Sequence, residues 1–163
     1  MVVILRIANF GVKRVLIDQG SSADVLYYDA FQGLGLKVEQ LKYFEGTLIG
    51  LSNEEVEVLG YIELEVVFGE GENARMIPIK FLVIKCISTY NAIIGRVPIN
   101  RLGAAVHTGC LTMKYPVGPN KVGKLVADQK AARECYNDAL SKRKQEKRSA
   151  AQAHQCCTTA IDP

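Results

Sequence analysis

The sequence predicts a mainly β domain with one or two short helices, followed by a C-terminal helical extension. Two observations carry that reading. Residues 2–17 and 56–84 are rich in β-branched residues, in runs that alternate apolar and polar and are broken by glycine turns, which is the pattern of strands with one face on a core. From Val126 onward the composition shifts to Ala, Lys, Gln, Arg and Glu, which favour helix. At 163 residues the chain has length for one compact domain plus an extension, placed at residues 1–120 and 121–163.

Val2 to Ala8 and Val12 to Ile17 read as a hairpin about Asn9-Phe10-Gly11. Its second strand runs straight into Asp18-Gln19-Gly20-Ser21-Ser22. A carboxylate at the end of a buried strand is costly unless donors or a chemical role compensate it. On these residues alone Asp18 reads as a turn cap, accepting from the amides of Gly20 and Ser21. Ala23 to Leu26 is a further short strand, and Tyr28 to Gly35 gives one or two helical turns stopped by glycine.

Thr47 to Gly50 is a short strand, Leu51-Ser52-Asn53-Glu54-Glu55 a polar tip, and Val56 to Phe68 a long alternating strand. Gly69 to Asn73 turns the chain into another strand, Met76 to Ile84, where Pro78 fits best near the start or on an edge. Ile93-Ile94-Gly95-Arg96 is an apolar pair closed by glycine, ahead of a short helix from Val97 to Leu102 with Pro98 in its first turn and Gly103 at its end. Ala105 to His107 and Leu111 to Tyr115 make a last pair of strands, with His107 read as an edge residue without a partner. Ala127 to Tyr136 reads as a solvated, frayed helix, Ser141 to Arg148 as a charged run, and Ala151 to Pro163 as disordered.

Charge and cysteine usage narrow the classes. Residues 1–120 carry 11 Lys/Arg against 12 Asp/Glu, and residues 121–163 carry 9 against 5, so the basicity lies in the extension. The main domain is not a polycation built for phosphate backbones. The run Lys142-Arg143-Lys144-Gln145-Glu146-Lys147-Arg148 reads as a charged solvated helix, with weak contact to RNA or an import receptor as the sharper alternative. Cys86, Cys110, Cys135, Cys156 and Cys157 are odd in number and form no Cys-x-x-Cys pair, which suits a reducing compartment. His154 beside Cys156-Cys157 lacks a second ligand pair, so no metal site and no cofactor are expected. No run approaches the roughly 20 apolar residues of a membrane span. Met1 to Leu5 is too short for a signal-peptide core, so an intracellular, cytoplasmic place is expected, with the nucleus open through the basic tail.

Taken together, Asp18-Gln19-Gly20-Ser21-Ser22, a glycine-containing hairpin at Gly50, and Ile93-Ile94-Gly95-Arg96 before a short helix resemble the retropepsin-type aspartic proteases. The likeness extends over about residues 2–117 and is greatest to protease domains in polyproteins of plant gypsy-type long-terminal-repeat retroelements. Gly123 to Leu140 is similar to the connector that follows such domains.

The resemblance implies a small closed barrel in which Asp18 supplies one catalytic carboxylate. Gln19, Gly20, Ser21 and Ser22 would form the active-site loop, and Gly50, Leu51, Ser52 and Asn53 a flap over the substrate. Ile93, Ile94, Gly95 and Arg96 would lie behind the loop, where a missing side chain admits close backbone packing. Ser21 would donate to the outer oxygen of Asp18. Hydrolysis by this route needs two carboxylates sharing a proton, and one Asp-x-Gly supplies half a site, so the implied partners are a second copy about a twofold axis and a polyprotein substrate.

The departure is Gln19, where the family usually has Thr or Ser bracing the two loops across the dimer. Gln cannot make that bond in the same space, and dimer strength turns on it. Two readings compete. Phosphate loops of the actin and sugar-kinase type share the strand-Asp-x-Gly-Ser pattern, but need a second lobe and more than twice this length. A catalytically weak protease-like domain serving as a dimerisation or interaction module is the stronger rival.

Overall fold

The computed structural model describes residues 1–50 and 55–141. In chain order the strands are β1 (Val2–Ile7), β2 (Phe10–Ile17) and β3 (Val25–Tyr27), followed by helix α1 (Tyr28–Gly33). The short β4 (Leu48–Ile49) and β5 (Glu55–Val56) precede the long β6 (Val58–Phe68) and β7 (Arg75–Ile84). Then come β8 (Ala92–Ile94), α2 (Arg96–Leu102), β9 (Ala105–His107), β10 (Thr112–Gly118) and β11 (Lys121–Val126). Residues 129–141 form a further helix, α3.

Six strands close into a barrel in the order β1-β2-β8-β3-β7-β6. The two long hairpins are antiparallel, β1 with β2 and β6 with β7. The short strands β8 and β3 stitch them together: β8 runs parallel to β2, pairing Leu16 with Ile93 and Ile17 with Ile94, while β3 runs parallel to β7. Arg6 and Ile7 of β1 meet Val67 and Val66 of β6 and close the circle. The alternation in β6 does what a period of two requires: Ile62, Leu64 and Val66 enter the core, and Glu63 and Glu65 face water. Phe31 of α1 is fully buried with Leu26, Ile79, Phe81 and Ile94, so the helix plugs the core.

Pro78 sits opposite Glu65. There β7 has β6 on one side only, because β3 joins it from Leu82 onward. Arg101 donates to the Pro78 carbonyl at 2.7 Å. Gly103 ends α2 in a left-handed conformation with φ of 62°, the backbone state that favours glycine.

Three features differ from the sequence expectation. The boundary expected at residue 120 falls inside the β10–β11 hairpin, and Lys121–Val126 is a strand rather than the start of a connector. Its inward position is Gly123, where any side chain would run into the Tyr115 ring. The apolar alternation that announces a strand is missing because the aromatic ring of the neighbouring strand fills the space. Met113 and Tyr115 of β10 join the barrel core.

The second difference is α3, which docks instead of fraying. Asp128 accepts from the Ala131 amide at 3.0 Å and so starts the helix, while its own amide donates to the Val2 carbonyl at 2.8 Å. Cys135 is fully buried, with its Sγ 3.5 Å from the Thr89 carbonyl. Burial pushes this thiol above its ordinary range, against the opposing Arg14 charge. Ala131 and Cys135, one helical turn apart, are the buried residues of this narrow contact.

The third is His107, whose Nδ1 accepts from the Cys110 amide at 2.9 Å and caps the turn into β10. Among the described residues no helix is long and apolar enough to cross a membrane. Leu51, Ser52 and Asn53, and the tail from residue 142, lie outside the described residues.

Replacing Cys135 by Asp should release α3, with amide exchange protection lost over residues 129–141 and retained in β6 and β7. Arg14 pairs with Glu134 at 3.7 Å and Asp138 at 3.5 Å, but all three are partly solvated. Arg14→Gln should therefore cost less than about 1 kcal/mol in urea unfolding.

Candidate active site

The parallel pairing of β2 with β8 brings the two sequence motifs together at one end of the barrel. Ile17 and Ile94 are register partners and both are buried, so the residues that follow them, Asp18 and Gly95, leave the sheet side by side. The Asp18 amide donates to the Ile94 carbonyl at 2.9 Å. From there the chain turns tightly: the Ser21 amide donates to the Asp18 carbonyl at 3.2 Å, and the Gly20 amide to Asp18 Oδ1 at 3.0 Å. The turn-cap role read from the residues is present in the Gly20 bond, and Asp18 stays partly exposed.

Ser21 behaves differently from the expectation. Its hydroxyl donates to the Ala23 carbonyl at 2.7 Å, not to Asp18. The loop curls so that the carbonyls of Ser21 and Ala23 converge on Gly95, and the Ser21 hydroxyl is taken up in holding that curl. Gln19 and Ser22 face solvent.

Gly95 fills the concave side of this loop. A Cβ built on it would lie 2.7 Å from the Ser21 carbonyl oxygen and 2.8 Å from that of Ala23. Its φ of −90° is ordinary, so the requirement for glycine here is space and not backbone conformation. The next amide, Arg96, donates to the Ser21 carbonyl at 3.0 Å, while the Arg96 side chain is exposed. Ile93 is half-buried and Ile94 fully buried.

Asp24 is the residue that the sequence motifs did not single out. It is 9% exposed, and its Oδ1 accepts from the Gly95 amide at 2.7 Å. Burial pushes its carboxyl above the ordinary 3.8, opposed by the Gly95 amide and by the positive charge of Arg101. One signal could have found it: a carboxylate between Ala23 and the apolar pair Val25-Leu26 must have a specific donor. The donor lies 71 positions away, beyond the reach of local pattern.

Gly50 follows β4, whose Leu48 and Ile49 pair with Val56 and Glu55 of β5 in a separate two-stranded ribbon. The tip that joins the two strands includes Leu51, Ser52 and Asn53, which lie outside the described residues.

Gly95→Ala should destabilise the fold by about 2–3 kcal/mol or displace the 18–24 loop, because two backbone carbonyls cannot yield cheaply. An unchanged urea midpoint would contradict the close approach. The Asp24 carboxyl, held above 3.8 in the fold, binds its proton more tightly folded than unfolded. Its contribution to stability is therefore greatest at low pH, falls as pH rises from about 4, and levels off above the folded-state pKa. Asp24→Asn should flatten that part of the stability curve, read as urea unfolding between pH 3 and 8.

No protein-family model matches the sequence, and no curated protein matches it either. Solved structures do. The retroviral protease-like domain of Ddi1 from Leishmania major aligns over 79% of this chain and 95% of its own, at 17% identity and a TM-score of 0.54. The protease of EIAV aligns over 66% of this chain and 91% of its own, at 23% identity and a TM-score of 0.48. A retropepsin-like aspartic protease from Rickettsia conorii aligns over 66% and 76%, at 22% identity and a TM-score of 0.49. The closed six-stranded barrel with its few helices is thus a retropepsin-like fold, as the sequence predicts.

Proposed function

We propose that the chain is an aspartic endopeptidase of the retropepsin type, which acts as a twofold homodimer with the axis between two copies of Asp18. The observation that carries this reading is a partly exposed carboxylate at a strand end, fixed by its own backbone and backed by a glycine with no room for a side chain. The retropepsin-like fold of the barrel supports the reading.

In the dimer the two carboxylates share one proton. The ionised one takes a proton from a water molecule as its oxygen attacks the peptide carbonyl carbon, and the protonated one gives its proton to the carbonyl oxygen. The tetrahedral diol then collapses. The C–N bond breaks as the amine nitrogen accepts a proton from the first carboxyl and a diol hydroxyl gives its proton to the second carboxylate, which restores the shared-proton state. Gly50 with Leu51, Ser52 and Asn53 is the proposed flap over the substrate, with cleavage between apolar residues held under it.

The likeness of the motifs to plant gypsy-type elements makes a retroelement polyprotein the proposed substrate. An intracellular, cytoplasmic site of action fits it, with the basic tail making at most weak nucleic-acid contacts. Gln19 supports a second reading. It is exposed beside Asp18, where a short hydroxyl would brace the partner loop, and a longer side chain favours a weakly active or inactive protein-interaction module.

Asp18→Asn should reduce cleavage by at least about 100-fold, because Asn keeps the shape but cannot carry the shared proton. Cleavage of a fluorogenic peptide with Leu-Phe at its centre, at mildly acidic pH and with pepstatin as inhibitor, measures this. Equal activity in Asp18→Asn would overturn the mechanism. A monomer in sedimentation with no pepstatin-sensitive cleavage would favour the module.

A further inference from the structure

We propose that Asp24 is a positioning residue which holds Asp18 through a single peptide unit, the one between Ile94 and Gly95. The inference rests on the proposed role of Asp18 and adds a second carboxylate with a different task.

That peptide is gripped at both ends. Its N–H, on Gly95, donates to Asp24 Oδ1 at 2.7 Å. Its C=O, on Ile94, accepts from the Asp18 amide at 2.9 Å. The line of contact therefore runs from the Asp24 carboxylate through one rigid amide plane to the backbone nitrogen of Asp18. A peptide is planar and polarisable. A carboxylate that accepts from its N–H pushes electron density toward its oxygen, which strengthens the bond that the oxygen accepts, and low local dielectric enlarges the effect.

Sterics close the same joint. Ser21 and Ala23 carbonyls enclose the Gly95 Cα, and the Arg96 amide returns a bond to Ser21. Asp24 is thus the one side chain among the described residues that bonds the peptide, and the remaining holds are backbone. The Asp24 carbonyl is also tied, accepting from the Leu82 amide at 2.9 Å, so β7 anchors the residue from behind.

Two variants and two readouts test this on the full chain. Asp24→Leu removes the acceptor, whereas Asp24→Asn keeps an oxygen of the same reach without the charge. In Asp24→Leu, the Gly95 amide proton should move upfield in 1H–15N spectra, and the Asp18 amide proton should move with it. In Asp24→Asn both should move in the same sense by less. With the Leu-Phe fluorogenic peptide, Asp24→Leu should lower kcat by roughly 10- to 100-fold with KM within about twofold, and Asp24→Asn should recover to within about fivefold of the parent.

A Gly95 shift with the Asp18 amide unmoved overturns the proposal. So does an Asp24→Asn variant as slow as Asp24→Leu, or an Asp24→Leu variant as fast as the parent. If Asp24→Leu does not fold, the two amides in Asp24→Asn decide: joint movement supports the relay, and movement of Gly95 alone sinks it. If the parent itself cleaves nothing, the protease reading fails, and the paired amide shifts still decide whether Asp24 positions Asp18.

Discussion

The Ile94–Gly95 peptide, seated in the concave loop of residues 18–24, is the contact on which the rest of the site depends. Around it β2, β3 and β8 leave the barrel, and the 18–24 loop and the start of α2 are bonded to one another there through main-chain groups. A hydrogen bond to a charged acceptor contributes about 1.5–3 kcal/mol, and leaving either partner unpaired in the interior costs a similar amount. The joint therefore favours one geometry strongly. Its tolerance for side-chain volume is nil at Gly95 and its tolerance for an apolar residue at position 24 is low.

The barrel supports this joint from a distance. β8 has only three residues, yet it pairs with β2 on one side and β3 on the other, so the two long hairpins meet through it. α2 carries the tie onward. Arg75 Nη1 donates to the carbonyls of Leu102, at 2.8 Å, and Pro116, at 3.0 Å, which fastens the C-terminal end of α2 to both β7 and β10. Tyr115, buried against Phe68 and bonded to the Asn73 carbonyl at 3.1 Å, locks the β9-β10-β11 sheet onto the same core. In the proposed dimer, the loop that carries Asp18 would present a rigid surface, because its bonds are made within one subunit.

The strand ends that carry Asp18 and Gly95 could be read from residue order because their logic is local. Asp18 follows an apolar strand, and Gly95 follows an apolar pair, so the end of a buried strand is visible in both. The hairpin of β6 and β7 was legible for the same reason, through alternation. Asp24 was not, since its meaning depends on a donor 71 positions away. Ser21 was misread because a hydroxyl next to a carboxylate suggests a bond to it, while the curl of the loop offers the Ala23 carbonyl instead. β11 was missed because a tyrosine on the neighbouring strand supplies the apolar volume that its own residues lack. The docking of α3 was missed because one fully buried cysteine anchors it, without a broad apolar stripe.

Residue order by itself determined the strand periodicity, the turns, the carboxylate at a strand end and the glycine that allows close approach. These follow from side-chain chemistry and spacing over a few residues. Tertiary structure decided which groups meet: that β2 and β8 pair in parallel, that the Asp18 amide finds the Ile94 carbonyl, and that a second, buried carboxylate holds the other end of the same peptide. Such pairings are set by closure of the barrel. Closure gives each of the six barrel strands two neighbours, and no short stretch of sequence encodes it.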